Sequence, residues 1–99
     1  MDQIFAVTRT KGGPWDSSRP LEQQPKWAPH AAFMNGLQSE GFVVLGGPLE
    51  GTDEVLLIIR AASEAQIHTR LAADPWSTSG LLQIARIVPW TIRLGRIPG

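Results

Sequence analysis

Two residues in this chain, His30 and Asp74, are of types that move or steer protons, and both fall at the end of an expected helix. Histidine is the side chain whose ordinary proton equilibrium lies nearest neutrality, and a carboxylate beside it orients the ring for general acid–base work. In the first expected helix, His30 shares a face with Phe33 and Leu37, so it points toward the core. The positive end of the helix dipole at that first turn favours a neutral ring, ready to accept a proton. In the second expected helix, Ile67 and Leu71 form the inward stripe, and Asp74 is the next position on it. A buried carboxylate must find donors, either backbone amides or an N–H partner such as His30. A plainer role competes for each residue. From position alone, a core-edge histidine bonded to a backbone carbonyl is the favoured reading of His30. Asp74-Pro75-Trp76 equally makes an N-cap, first-position proline and first turn of a short helix, and one carboxylate can do both jobs.

The elements that must position this pair follow from composition and period. Ile4 to Arg9 is rich in β-formers and is broken by Lys11-Gly12-Gly13-Pro14, which makes it a first strand. Lys11 to Lys26 carries Pro14, Pro20 and Pro25 without a periodic apolar face, a long loop containing Trp15. Pro29 at a first helical position opens a helix to Glu40, and Gly41 closes it. Phe42 to Leu49 and Glu54 to Ala61 are strands joined as a hairpin by Glu50-Gly51-Thr52-Asp53. Ser63 caps a second helix that runs to Ala73, because Pro75 disfavours helical geometry at Asp74. Leu81 to Trp90 is a fourth strand, and an apolar alternation continues through Ile92, Leu94 and Ile97.

The order β-α-β-β-α-β is the ferredoxin-like split pattern, an α+β fold with an antiparallel sheet and both helices on one face. Side chains alternate along a strand, yet both faces of the expected sheet are apolar. Val43, Leu45 and Leu49 accompany Phe42 and Val44, and Leu56 and Ile58 accompany Val55, Leu57 and Ile59. Two helices cover one face, so the other is expected to pack on a second copy of itself, giving a homodimer through sheet faces.

Composition bounds the remaining possibilities. A chain of 99 residues makes one domain, 1–99, burying roughly two-thirds of its unfolded surface. Nine basic and nine acidic residues cancel, so the field that would attract nucleic acid or an anionic membrane is missing. Zero cysteines remove disulfides, thiol nucleophiles and thiolate metal sites. With no early apolar run of signal-peptide length and no stretch near the roughly 20 residues of a membrane span, a cytoplasmic address and no membrane partner are expected. Two histidines without an acidic cluster give no metal site, and no glycine-rich strand-to-helix turn signals a nucleotide cofactor, so none is expected.

Several further residues qualify as ligand groups. Trp27 beside His30 and Trp76 beside Asp74 can wall an apolar pocket for an aromatic or lactone-like molecule, while Trp15 and Trp90 suit packing. Arg9 and Arg86 can hold a substrate carboxylate or form solvated ion pairs, and Arg9 is the stronger candidate. Gly46 and Gly47 before Pro48 allow close approach to the backbone, although shaping a strand end is the favoured reading. His68 lies off the inward stripe and receives no role.

Taken in order, Ala28-Pro29-His30, Glu40-Gly41-Phe42, Gly46-Gly47-Pro48-Leu49, Asp74-Pro75-Trp76 and Val88-Pro89-Trp90 make the chain resemble the YCII-related proteins. That resemblance implies a dimeric α+β barrel, similar to muconolactone isomerase, with a His–Asp pair in a pocket. The matching positions are His30 and Asp74. It also implies an enzyme-like site, one relative type being a dehydrochlorinase of chlorinated hydroxyhydroquinones. The loop from Lys11 to Lys26 departs from shorter relatives. The expected function is therefore a small cofactor-independent enzyme of isomerase or lyase type acting on a small cyclic or aromatic metabolite. The alternative is a non-catalytic metabolite-binding or interaction module.

Overall fold

The computed structural model describes residues 1–97. Its elements are β1 (Gln3–Lys11), α1 (Trp27–Ser39), β2 (Val43–Pro48), β3 (Glu54–Ala61), α2 (Glu64–Ala72), α3 (Pro75–Thr78) and β4 (Leu82–Pro89). The strands form one antiparallel sheet in the order β2-β3-β1-β4, the α+β ferredoxin-like arrangement expected from the element order. No helix among the described residues is long and apolar enough to cross a membrane.

The helix-covered face carries alternate residues of the two central strands: Phe5, Val7 and Arg9 from β1, and Val55, Leu57, Ile59 and Ala61 from β3, all buried. Two irregularities in register tune this alternation. Arg9 pairs with Ile84 while Thr8 pairs with Arg86, so Ala85 is an extra residue and both Ile84 and Ile87 reach the core side. Likewise Val43 pairs with Ile59 and Leu45 with Ile58, which turns Val43 inward and leaves Leu45 outward. Bulges of this kind re-aim side chains on a continuous strand, and one of them sits beside Arg9.

Helix α1 begins two residues before the expected start, because Lys26 adopts left-handed geometry (φ 63°) as its N-cap. Pro29 is consequently the third helical residue. It fits there because the first four N–H groups of a helix have no internal partner, so proline forfeits nothing. The other end is the expected one. Gly41 takes φ +83°, its N–H bonds to the carbonyl of Gln38, and the N–H of Phe42 bonds to that of Leu37, the paired closure that positive φ permits.

Helix α2 is capped by Ser63, whose hydroxyl accepts from the N–H of Gln66, and it buries Ile67 and Leu71 completely. The expected loop between β1 and α1 is held from within. Gln24, 3 % exposed, donates to the carbonyls of Asp16 and Arg19 and accepts from the N–H of Asp16, and a short 3-10 turn covers Leu21–Gln23.

β4 ends at Pro89, and the apolar alternation through Ile92 and Leu94 forms no strand. Proline supplies no N–H to continue a ladder, and after one bond from Trp90 N–H to the carbonyl of Ile4 the pairing stops. The segment from Trp90 to Ile97 instead borders the uncovered face. Together with Ala6, Leu45, Leu56, Ile58 and Val88 it encloses a trough of about 610 Å³.

Candidate active site

Asp74 stands at the turn between α2 and α3, with extended backbone geometry at the N-cap of the shorter helix. Its carboxylate accepts from the N–H of Trp76 at 3.0 Å, as its capping role requires. The same carboxylate faces two further groups. His30 Nδ1 lies 2.8 Å from Oδ1 and 3.0 Å from Oδ2, and Arg9 Nη1 donates to Oδ2 at 2.8 Å. Asp74 is 0 %, Arg9 1 % and His30 8 % exposed, so the cluster sits within the core. Capping and pairing are thus performed together by one side chain.

Burial is the largest influence on Asp74 and pushes its carboxyl up. The hydrogen bonds from His30, Trp76 N–H and Arg9, with the Arg9 charge, outweigh it and hold the group below its usual 3.8. An ionised carboxylate can only accept, so Nδ1 carries the proton of the bond to His30, and in the neutral ring that tautomer leaves the lone pair on Nε2. Nε2 has no protein partner among the described residues.

The ring is fixed by stacking as well as by its hydrogen bond. Trp76, fully buried, lies parallel to His30 at 3.7 Å between centroids and 7° between planes. Trp76 is itself clamped, because its Nε1 donates to the carbonyl of Pro25 at 2.7 Å and Trp15 meets it edge-on at 5.4 Å. The long loop therefore fixes the Trp76 ring on which the histidine stacks. Trp27 completes the aromatic group, tilted against both His30 and Trp76 at 5.9 and 5.8 Å.

This cluster borders a cavity of about 320 Å³ between α1 and the β2 edge of the sheet, within the size range of small-molecule sites. His30, Trp27, Trp76, Arg9, Gly46, Gly47 and Pro48 all line it. Gly46 packs closely against β3, since a Cβ there would lie 2.5 Å from Leu57 Cδ2 and displace that side chain, whereas one on Gly47 would meet nothing within 4 Å. Arg9 reaches the cavity with both terminal nitrogens already committed, Nη1 to Asp74 and Nη2 to Ser77 Oγ at 2.7 Å. Its Nε is buried without a partner, an arrangement that costs about 1–3 kcal/mol. Arg86 is exposed and borders the opposite trough, and His68 is exposed on α2.

Residues that sequence reasoning passed over are Ser77, Gln24 and the α1 residues Met34, Asn35 and Gln38, which also line the cavity. Met34 was findable, because it lies four residues after His30 and so on the same face of the helix. Ser77 carried no such signal, since its partner Arg9 is 68 residues away in sequence. No group of three or more His, Cys, Asp or Glu that could hold a metal occurs among the described residues.

An antiparallel four-stranded sheet with its helices on one face, and a buried His–carboxylate contact beside a cavity at the sheet edge, define a small ferredoxin-like α+β protein with a pocket. More narrowly, the chain belongs to the YCII-related domain family, whose model matches residues 16–91. That span contains His30 and Asp74, whereas Arg9 precedes it. Among solved structures, the chain is similar to 5-chloro-2-hydroxyhydroquinone dehydrochlorinase from Burkholderia phenoliruptrix AC1100, in complex with 2,5-dihydroxybenzoquinone. The identity is 22 %, the TM-score 0.56, and the alignment covers 93 % of this chain and 95 % of that one. At this identity the likeness establishes the shared fold. Comparison with curated proteins gives no match.

Proposed function

We propose that the chain acts as one catalytic domain, a cofactor-independent enzyme in which His30 transfers a proton to or from a small cyclic or aromatic substrate held in the 320 Å³ cavity. The observation that carries this reading is the 2.8 Å contact between His30 Nδ1 and the buried Asp74 carboxylate, in a histidine that lines the cavity and whose Nε2 has no protein partner among the described residues. Asp74 orients the ring and Nε2 is the reacting nitrogen. In an elimination, Nε2 takes a proton from the substrate, the released electron pair forms a new double bond, and the leaving group departs with its bonding pair. An isomerisation uses the same first step and returns the proton at another carbon. The similar dehydrochlorinase, whose reaction by its name removes hydrogen chloride from a chlorinated hydroquinone, makes hydroxyquinones and related rings the first substrates to try. Trp27 and Trp76 supply flat apolar walls for such a ring, and the backbone at Gly46, Gly47 and Pro48 admits it closely at the edge strand.

The test is incubation of the purified chain with a panel of hydroxyquinones, halogenated hydroquinones and lactones, read by absorbance and mass. Turnover is expected and should fall at least 100-fold in His30→Gln, the usual lower range for loss of a general base, with the circular dichroism of the fold retained. Unchanged turnover in that variant defeats the proposal. Ligand retained without conversion would instead identify the non-catalytic binding module.

We also propose that the trough on the uncovered sheet face is closed by a second copy of the chain. Leu45, Val88 and Trp90 are 46, 39 and 47 % exposed there, an apolar surface of the kind that marks an interface.

A further inference from the structure

Arg9 occupies a position where the alternation of β1 calls for an apolar side chain, after Phe5 and Val7, and it is buried as completely as they are. Its two Nη bonds go to Asp74 and Ser77 while Nε is left without a partner, so the guanidinium is placed for those two bonds and not for its own satisfaction. Ser77 has one hydroxyl proton. Since Ser77 Oγ donates to the carbonyl of Leu71 at 2.7 Å, it meets Arg9 as an acceptor, which fixes the orientation of the fork. The decisive geometry is at the Asp74 carboxylate, where His30 Nδ1 lies 2.8 Å from Oδ1 and 3.0 Å from Oδ2, and Oδ2 also receives Arg9 Nη1 at 2.8 Å. The guanidinium and the imidazole share one oxygen.

Among the described residues no other charge competes in this setting. The sheet faces His30 across the cavity with Val43, Val55, Leu57 and Leu82, α3 presents Trp76, and the ionisable residue closest in sequence on α1 is Lys26, exposed at the N-cap. Among the described residues, Asp74 is the ionisable side chain bonded to the ring, and Arg9 is bonded in turn to Asp74. A carboxylate alone would favour imidazolium, and a carboxylate already paired with a guanidinium favours it less. The pair is also not needed for stability as such, because apolar residues of similar volume commonly serve a core equally well.

We propose that Arg9 is a positioning residue acting on His30 through Asp74: it compensates the carboxylate, so that Asp74 holds the Nδ1–H of a neutral ring instead of stabilising imidazolium, and Nε2 is kept free to accept a proton. This rests on the reading of His30 as the proton-transfer group. Arg9 therefore sets the ring's protonation without touching substrate.

The experiment follows the His30 ring by NMR across pH in the full chain labelled with ¹⁵N-histidine, in a His68→Gln background that leaves one ring signal. The parent should show the Nδ1–H tautomer when neutral. Arg9→Gln is expected to move the titration midpoint upward by about one pH unit, and Arg9→Lys, which keeps the charge, to restore most of it. Ser77→Ala, which loosens the fork, should shift the midpoint in the same direction by a smaller amount. A purely structural Arg9 would leave the midpoint in place in any variant that folds, and a midpoint unmoved in Arg9→Gln overturns the inference. If Arg9→Gln does not fold, an unmoved midpoint in Ser77→Ala overturns it. The two readings fail separately. Turnover that survives His30→Gln defeats the catalytic reading, whereas lost turnover with an unmoved midpoint defeats the role of Arg9 alone.

Discussion

The two faces of the sheet are made by the same strands under the same alternation, and they differ in what they do with charge. On the helix-covered face, one inward position of β1 is Arg9, and it is matched within the core by Asp74 and His30. On the uncovered face, the strand positions around the trough are Ala6, Leu45, Leu56, Ile58 and Val88, and the arginines at its border, Arg86 and Arg96, form no ion pair among the described residues. Charge enters the interior where a partner compensates it, and apolar surface remains outside where no helix arrives. The first arrangement suits chemistry and the second suits assembly. Breaking either face therefore produces a different kind of failure.

The largest effect is expected from Asp74→Ala. It leaves Arg9 buried without its anion, His30 Nδ1 and Trp76 N–H without an acceptor, and α3 without its cap. Removing one partner of a buried pair costs about 3–5 kcal/mol, which urea unfolding should record as a large fall in midpoint. A loss below about 1 kcal/mol, the size of an exposed ion pair, would mean that the cluster contributes little to the fold.

The same carboxylate gives a pH signature. Its folded pKa lies below 3.8, so the unfolded chain binds the proton more readily, and the stabilisation is present above that value and lost as pH falls through the folded one. Acid unfolding should accordingly be steeper below pH 3.8 in the parent than in Asp74→Asn. Asp16 is also held below its usual range, first by the side-chain hydrogen bond from Ser18. An exposed pair should contribute little, so Asp16→Asn is the control, and an equal flattening in both variants would contradict the contrast between buried and exposed charge.

On the uncovered face the expected signs reverse. Val88→Asp places a charge on an exposed apolar surface that lines the trough and not the cavity, so the fold should lose no more than about 0.5 kcal/mol, while any association through that face is disrupted. Sedimentation is the measurement. The parent should run at twice the 10.8 kDa chain mass and the variant at 10.8 kDa, with helical circular dichroism preserved. A parent that already sediments at 10.8 kDa would remove the second copy from the account.

How far these differences can be read from sequence depends on the range of the interaction that decides them. His30 and Asp74 were legible because helical spacing alone places each on a stripe, with Leu37 in one case and with Ile67 and Leu71 in the other. The apolar character of both sheet faces was legible from period two in β3. Arg9 stands out in the sequence as a group for a substrate carboxylate, but its pairing with Asp74 does not, because the two are 65 residues apart and meet only through the β1–β4 register and the turn at α3. The bulge opposite Arg9 has no local sequence signature either. The apolar alternation at Ile92 and Leu94 does not by itself say where it packs, and the missing N–H of Pro89 is the local reason that it does not extend β4.

The smallest effect is expected where the site meets a strained residue. Lys26 is the single non-glycine residue with positive φ among the described residues, and it immediately precedes the turn that carries His30, whose N–H bonds to the Lys26 carbonyl at 3.0 Å. Left-handed geometry costs a residue with a Cβ about 1 kcal/mol, less for asparagine, whose short side chain bonds locally. Lys26→Asn should therefore raise stability by about 0.5 kcal/mol, seen as a small increase in the urea midpoint. The position of the His30 ring relative to Asp74 should not change, because Trp76 and the carboxylate hold it independently of the cap. A displaced ring signal in the NMR spectrum would show that the strain at Lys26 helps aim the histidine. The start of α1 would then belong to the charged face of the comparison and not merely support it.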